Sequence, residues 1–151
     1  MMGPVFFVRP TLRPVMQAPR LPVLLFAAYV VEFIALGVTP FDRAVWWAEN
    51  VPIVALALTL AALYVQGVRM SNPGYALASV LLFMHTIGGH YTFERVPFGW
   101  VTHLFGFQRN NYDRVAHFSV GLYAFGIAEL LLKRRLAARP WVAYLLSLIH
   151  I

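Results

Sequence analysis

The amino-acid sequence predicts an all-α protein, a polytopic bundle of transmembrane helices with four complete spans and a truncated fifth. Of the 151 residues, 60% are hydrophobic and only 12% are charged, against about 45–50% and about 25% in soluble globular domains. The apolar residues form runs long enough to cross a hydrocarbon core about 30 Å thick. The basic residues lie between these runs instead of along one helical face.

The first two apolar runs predict two spans. Residues 21–38 are interrupted only by Glu32, and a helix of that length nearly crosses the bilayer at about 1.5 Å per residue. Residues 51–65 carry no charge and predict the second span. The preceding residues 45–48, which include Trp46 and Trp47, extend this span into the membrane–water interface, where aromatic side chains are typical.

Two further runs and their connection complete the bundle. The third span is predicted from Pro73 to His90, because proline favours the first turn of a helix. The fourth covers residues 115–132. In the connection, apolar residues from Pro97 to Phe105 recur at helical spacing, which predicts a short interfacial helix between spans 3 and 4.

The two ends of the chain have different predicted roles. Residues 1–20 are expected to form a basic segment, and residues 21–151 a single transmembrane domain. An apolar run follows Pro140 and stops at Ile151, at about half the length of a span. We therefore expect the fifth span to be truncated.

The distribution of basic residues predicts the orientation. Those outside the two polar connections all fall on one side of the predicted bundle: Arg9, Arg13, Arg20, Arg69, Lys133, Arg134, Arg135 and Arg139. By the positive-inside rule that side is cytoplasmic. The first run is too long for a secretory signal peptide and lacks a cleavage pattern. We expect a multi-pass membrane protein with a cytoplasmic N-terminus.

Composition also limits the partners and the chemistry. The net charge of +6 does not indicate nucleic-acid binding, because the bases lie between apolar runs, and the expected partner is the lipid bilayer. The oligomeric state, including a homo-oligomer, is left open. The absence of cysteine excludes disulfides, thiolate nucleophiles and iron–sulfur clusters.

The candidate catalytic residues lie at the outer ends of spans 3 and 4. His90 and Glu94 are four residues apart, as are Asp113 and His117, so each pair would share a helix face if the helix continued through it. A carboxylate beside a histidine raises the basicity of the ring, which suits metal ligation and general-base catalysis. We predict His90, Asp113 and His117 as catalytic bases or metal ligands. Oxygen and nitrogen ligands without sulfur favour zinc or manganese.

The same region contains candidate substrate-binding residues. Arg109 and Arg114 flank the start of span 4, where a helix N-terminus favours an anionic group. Glu94 and His85 complete the predicted pocket. A neutral His85 bonded within the bundle is the structural alternative, and for Asp113 the alternative is a helix cap.

Three other features of the spans call for explanation. Glu32 needs a buried partner unless it is protonated, and we expect a histidine or arginine of the candidate site. Glu129 precedes Lys133 by four residues, which predicts an ion pair at the membrane surface. Gly88 and Gly89 predict either a bend or close packing of helices.

Two motifs resemble the YjdF-like family of bacterial inner-membrane proteins. They are residues 88–99, GGHYTFERVPFG, and residues 108–118, QRNNYDRVAHF. The resemblance implies a polytopic inner-membrane protein and brings no established activity. Family members continue with further spans that carry acidic motifs, so we expect this chain to hold part of the family's site. The shorter run from Asp113 to Phe118 is similar to the Asp-Lys-x-x-His-Phe signature of VanZ-like membrane proteins.

These observations leave three classes of function open. The first is a metal-dependent or acid/base enzyme acting on a lipid-linked or envelope substrate. The second is a small transporter or proton relay, because buried ionisable residues also mark ion pathways. The third is a non-catalytic membrane assembly protein.

Overall fold

The computed structural model describes residues 20–134, 139–142 and 145, and within them the regular structure is entirely helical. The long helices are α1 (Arg20–Gly37), α2 (Arg43–Val65), α3 (Asn72–His90) and α5 (Tyr112–Lys133), and α4 (Gly99–Leu104) is short. The predicted basic segment before Arg20 and most of the predicted fifth span lie outside the described residues. The all-α prediction is confirmed.

Three of these helices, α1, α2 and α5, are long and apolar enough to cross a membrane. Helix α3 has a similar length, 19 residues, but a less apolar sequence, because its second half contains His85, Thr86, Gly88, Gly89 and His90. Three helices of the described residues therefore have the length and composition of membrane spans.

Helix α2 begins at Arg43, before the uncharged run that starts at residue 51 and two residues before its predicted interfacial extension over residues 45–48. The carboxylate of Asp42 caps the helix, because its Oδ1 accepts hydrogen bonds from the backbone N–H groups of Ala44 at 2.8 Å and Val45 at 3.0 Å. The helix also continues through Pro52. The residues that we took for a polar connection therefore belong to the helix, and this places Glu49 inside the bundle.

Helix α3 lies at the centre of the bundle, where it packs against α1, α2 and α5. Small residues allow this close packing. A Cβ atom on Gly89 would lie 2.6 Å from Nδ2 of Asn50 on α2, and one on Gly126 of α5 would lie 2.6 Å from Sδ of Met70. Gly89 therefore serves close packing of helices, the second of the two predicted roles, whereas Gly88 lies under the ring of Phe93.

The helices meet at two ends that differ in character. Leu36 near the end of α1 accepts a hydrogen bond from His90 at the end of α3, and α2 and α5 begin at this same end, which we call the His90 end. At the opposite end, the connection from α2 to α3 contains Arg69, and α5 terminates beside it. We call this the Arg69 end.

Glu129 links α5 to α3 at the Arg69 end. Its carboxylate accepts hydrogen bonds from the backbone N–H and the hydroxyl of Ser71, both at 2.8 Å, and it also pairs with Lys133. The predicted ion pair is confirmed. Its setting is more buried than expected, because the Glu129 side chain is only 15% exposed. The carboxylate therefore holds the first turn of α3 against the last turn of α5.

The region of the predicted interfacial helix contains α4. Its apolar side chains are exposed, including Trp100 and Leu104, as is that of the following Phe105. The helix is shorter than the predicted periodic segment, since it starts at Gly99 and not at Pro97.

Replacing Glu129 by alanine should destabilise the bundle by about 1–3 kcal/mol, because the Ser71 N–H and hydroxyl lose their acceptor. Replacing Lys133 by glutamine removes only an ion-pair partner that is 52% exposed, and should cost less than about 1 kcal/mol. Thermal unfolding in detergent measures both. Equal losses in the two variants would contradict a capping role for Glu129.

Candidate functional site

Ionisable side chains from four helices lie at one depth below the His90 end. Glu32 on α1, Glu49 on α2, His85 on α3 and His117 on α5 each lie one to two turns from that end of their helix. At about 1.5 Å per residue this depth is roughly 8 Å. We call these four residues the polar layer.

The central contact of the polar layer joins α2 to α3. Nε2 of His85 lies 3.1 Å from Oε2 of Glu49, and the two side chains are 22% and 38% exposed. The contact is possible because Gly89 brings α3 close to α2 at Asn50, one residue after Glu49. A carboxylate and an imidazole are thus held together at the edge of the core.

Phe93 covers one side of His85. Its ring packs edge-on against the imidazole, with 5.1 Å between the ring centroids, and the same ring covers Gly88. His117 lies at the same depth on α5, with an exposed side chain. The structure therefore places two of the histidines that the sequence assigned to one pocket at one level of the bundle.

Several buried oxygen atoms around the layer have no hydrogen-bond partner. They are the hydroxyl of Tyr29, Oε2 of Glu32, Oγ1 of Thr86 and Oδ1 of Asn50. Thr86 and Asn50 are completely buried. The hydroxyls of Tyr29 and Thr86 face each other, but neither makes a hydrogen bond of normal geometry.

The carboxylate of Glu32 does not pair with the histidine or arginine that the sequence predicted. Among the residues described, the ion pairs join other groups, and Oε2 of Glu32 is buried without a partner. The prediction that a histidine or arginine pairs with Glu32 is therefore wrong. The reason is that His85 and Arg109 contact Glu49 and Asp113 instead.

His90 and Glu94 do not form the predicted pair, because the helix ends between them. The backbone turns through positive φ angles at Thr92 (53°) and Phe93 (56°), and this takes Glu94 off the helix face. Nδ1 of His90 instead donates to the carbonyl of Leu36 at 2.7 Å. His90 therefore ties the ends of α1 and α3 together.

Asp113 and His117 do share a helix, but their side chains do not pair with each other. Nδ1 of His117 donates to the backbone carbonyl of Asp113 at 2.7 Å, while Oδ2 of Asp113 lies 3.7 Å from Nη2 of Arg109. The amide oxygen of Asn110 accepts from the Tyr112 N–H at the start of α5. Asn110, and not Asp113, therefore provides this side-chain cap.

The remaining predicted site residues lie at the rim. Arg109, Arg114 and Glu94 are exposed, so the two arginines are accessible to an anionic group. Among the described residues, no three His, Asp or Glu side chains are arranged to hold a metal ion. The arrangement thus gives no support to zinc or manganese at His90, Asp113 and His117.

Glu49, the residue that pairs with His85, was not among the predicted site residues. The available signal was Asp42, since an aspartate followed by an apolar stretch is typical of a helix N-cap. A helix that starts there places Glu49 on α2 at the level of the candidate site.

Replacing Gly89 by alanine should separate α3 from α2, because the new Cβ would lie 2.6 Å from a buried amide. We expect a loss of about 1–3 kcal/mol in the free energy of unfolding. Gly121 is the matched control, since nothing lies within 4 Å of its Cβ position. There alanine should stabilise the helix by about 0.5–1 kcal/mol. Similar effects at both glycines would show that the close approach is unimportant.

Replacing Glu32 by glutamine should leave the thermal midpoint unchanged or raise it, because a buried carboxylate without a partner is unfavourable. Glu49→Gln should lower stability by about 0.5–1.5 kcal/mol, because it weakens a hydrogen bond to His85. Thermal unfolding of both variants in one detergent tests this difference. A larger loss for Glu32→Gln than for Glu49→Gln would contradict it.

The comparisons with known proteins agree with the resemblance in the two motifs. Residues 21–151 match the family described as "Predicted membrane protein (DUF2238)". The chain is similar to the "Inner membrane protein YjdF" of Escherichia coli (strain K12), with 32% identity over 116 residues. This match covers 72% of the chain and 53% of the relative, so the chain spans about half the length of the curated relative it matches.

No solved structure matches the chain, so the family is shown by sequence. The family match includes all four residues of the polar layer and the whole connection from α3 to α5. The chain therefore belongs to the DUF2238 family of membrane proteins, and its predicted resemblance to YjdF-like proteins is confirmed.

Proposed function

We propose that this protein is a multi-pass inner-membrane enzyme that performs acid/base chemistry on a lipid-linked or envelope substrate. In this proposal α1, α2, α3 and α5 are four spans of one transmembrane domain. The basic residues at the Arg69 end support a cytoplasmic location for that end by the positive-inside rule. The polar layer then lies near the extracytoplasmic face, with the exposed Trp100 of α4 and the following Phe105 at the interface.

The observation that supports this function is the contact between Glu49 and His85. When the carboxylate accepts the Nε2–H of His85, the other ring nitrogen, Nδ1, carries the lone pair and is the basic site. His85 can then take a proton from water or from a substrate hydroxyl and return it to a leaving group. Its partly buried surroundings strengthen the contact with Glu49.

The rim of the site supplies a means to hold an anionic substrate. Arg109 and Arg114 lie at the start of α5 and are exposed, where the helix dipole also favours negative charge. A phosphate of a lipid-linked substrate fits this position, and its chain would remain in the bilayer. His117 follows the arginines on α5, where its Nδ1 donates to the backbone carbonyl of Asp113, and it is a second candidate for proton transfer.

A proton relay is the second candidate function, and one observation favours it. Glu32 is an acid on a helix that is apolar enough to cross a membrane, and its Oε2 is buried with no hydrogen-bond partner. Such a group can bind and release a proton during transport.

The enzyme is tested with protein in nanodiscs made from bacterial inner-membrane lipids that contain lipid-linked envelope precursors. Mass spectrometry of the lipids measures conversion. We expect Glu49→Gln and His85→Ala to lower the rate by about 10²–10⁴, the usual contribution of a general base. His103→Ala is the control, because His103 is an exposed histidine on α4 outside the polar layer.

Two results would contradict the enzyme. The first is that the unchanged protein, Glu49→Gln and His85→Ala all convert the lipids at the same rate. A complete lack of conversion by all three proteins counts as the same result. The second is proton uptake into liposomes that Glu32→Gln abolishes and His85→Ala does not, which would favour the relay.

A further inference from the structure

We propose that the cavity between α1, α2 and α3 at the Arg69 end binds an acyl chain of an anionic phospholipid, whose phosphate contacts Arg69 and Arg20. This site lies at the opposite end of the bundle from the polar layer. It does not depend on the function proposed above.

The cavity has a volume of about 290 Å³, near the lower limit of roughly 300–1,000 Å³ for small-molecule sites. Its walls are almost entirely apolar and include Phe26 on α1, Ala57 and Ala61 on α2, and Leu82 on α3. Because α1 and α2 contact each other little and both pack on α3, the cavity fills the gap between them. An apolar chain would restore the van der Waals contacts that these walls lack.

The rim of the cavity is open to the hydrocarbon region. Val23, Phe26 and Val65 border the cavity, and all three are exposed. They lie on α1 and α2, two helices that are apolar enough to cross a membrane. A lipid chain can therefore enter sideways from the bilayer without passing through water.

Positive charge at the mouth indicates the headgroup. The guanidinium of Arg69 stacks over the ring of Tyr64 at 4.7 Å from its centroid, and Tyr64 lines the cavity. Arg20 begins α1, two residues before the lining residue Pro22. Both arginines are exposed. Basic side chains beside a gap between spanning helices favour an anionic lipid headgroup.

The distribution of acidic residues also leaves the Arg69 end positively charged. Of the six Asp and Glu residues in the chain, Glu129 alone lies at the Arg69 end. Its carboxylate is engaged by Ser71 and Lys133, so it does not neutralise Arg69. Phosphatidylglycerol, which is anionic, should therefore bind better than phosphatidylcholine with the same acyl chains.

Native mass spectrometry of the full chain, purified in detergent and mixed with either lipid, tests the site. We expect the protein to bind phosphatidylglycerol as an adduct and to bind less phosphatidylcholine under the same conditions. Arg69→Gln should weaken phosphatidylglycerol binding about fivefold, the usual effect of one arginine near a lipid surface. Ala61→Phe fills the cavity and should remove the adduct.

Matched controls come from the same molecule. Arg95 stacks on Phe41 at the His90 end in the same way that Arg69 stacks on Tyr64, so Arg95→Gln should bind phosphatidylglycerol normally. Ala55 is exposed on α2 and does not line the cavity, so Ala55→Phe should also keep the adduct. Arg69→Gln changes only an exposed side chain, which separates binding from folding.

Three results would overturn the proposal. One is equal binding of the two lipids by the unchanged protein. Another is an adduct that persists in Ala61→Phe. The last is a dimer that Ala61→Phe dissociates while no lipid adduct is seen, which would make a second copy of the chain the occupant.

Discussion

The polar layer depends on the close approach of α3 to α2 at Gly89. In hydrocarbon there is no hydrophobic effect to hold helices together, so packing of small residues and bonds between helices must do so. Gly89 brings the α3 backbone against Asn50. That distance sets how far the next turn of α3 lies from α2, and so allows His85 to reach Glu49. A side chain at position 89 would change both the packing and the chemistry.

At both ends of the bundle, side chains bind backbone groups at the ends of neighbouring helices, but the side chains differ between the two ends. At the His90 end, side chains bind the backbone of a neighbouring helix end, as Arg43 does at Val38 and His90 at Leu36. At the Arg69 end, one carboxylate on α5 satisfies the start of α3. Helix ends leave backbone groups without partners, and these contacts satisfy some of them. The polar residues that remain are concentrated at the His90 end, while the opposite end contains an apolar cavity.

The long apolar runs allowed α1 and α5 to be predicted from sequence, because their hydropathy alone indicates spanning helices. The start of α2 was not predicted, because charged residues before residue 51 were taken for a connection. In the structure Asp42 caps the helix at that point. The pair of His90 and Glu94 failed for another reason: positive φ angles at Thr92 and Phe93 occur at residues whose type does not predict them. The contact between Glu49 and His85 joins distant parts of the chain, so periodicity could not reveal it.

Phe93 has a role that follows from its position in the turn after α3. A bulky residue with a positive φ angle is unfavourable in isolation, and here its ring lies over Gly88 and against His85. The packing of one ring thus compensates the backbone strain of the turn and covers one side of the imidazole. If the connection between α3 and α4 moved, it would take this ring with it. The conformation of the turn and the cover over one face of the imidazole are therefore set by the same side chain.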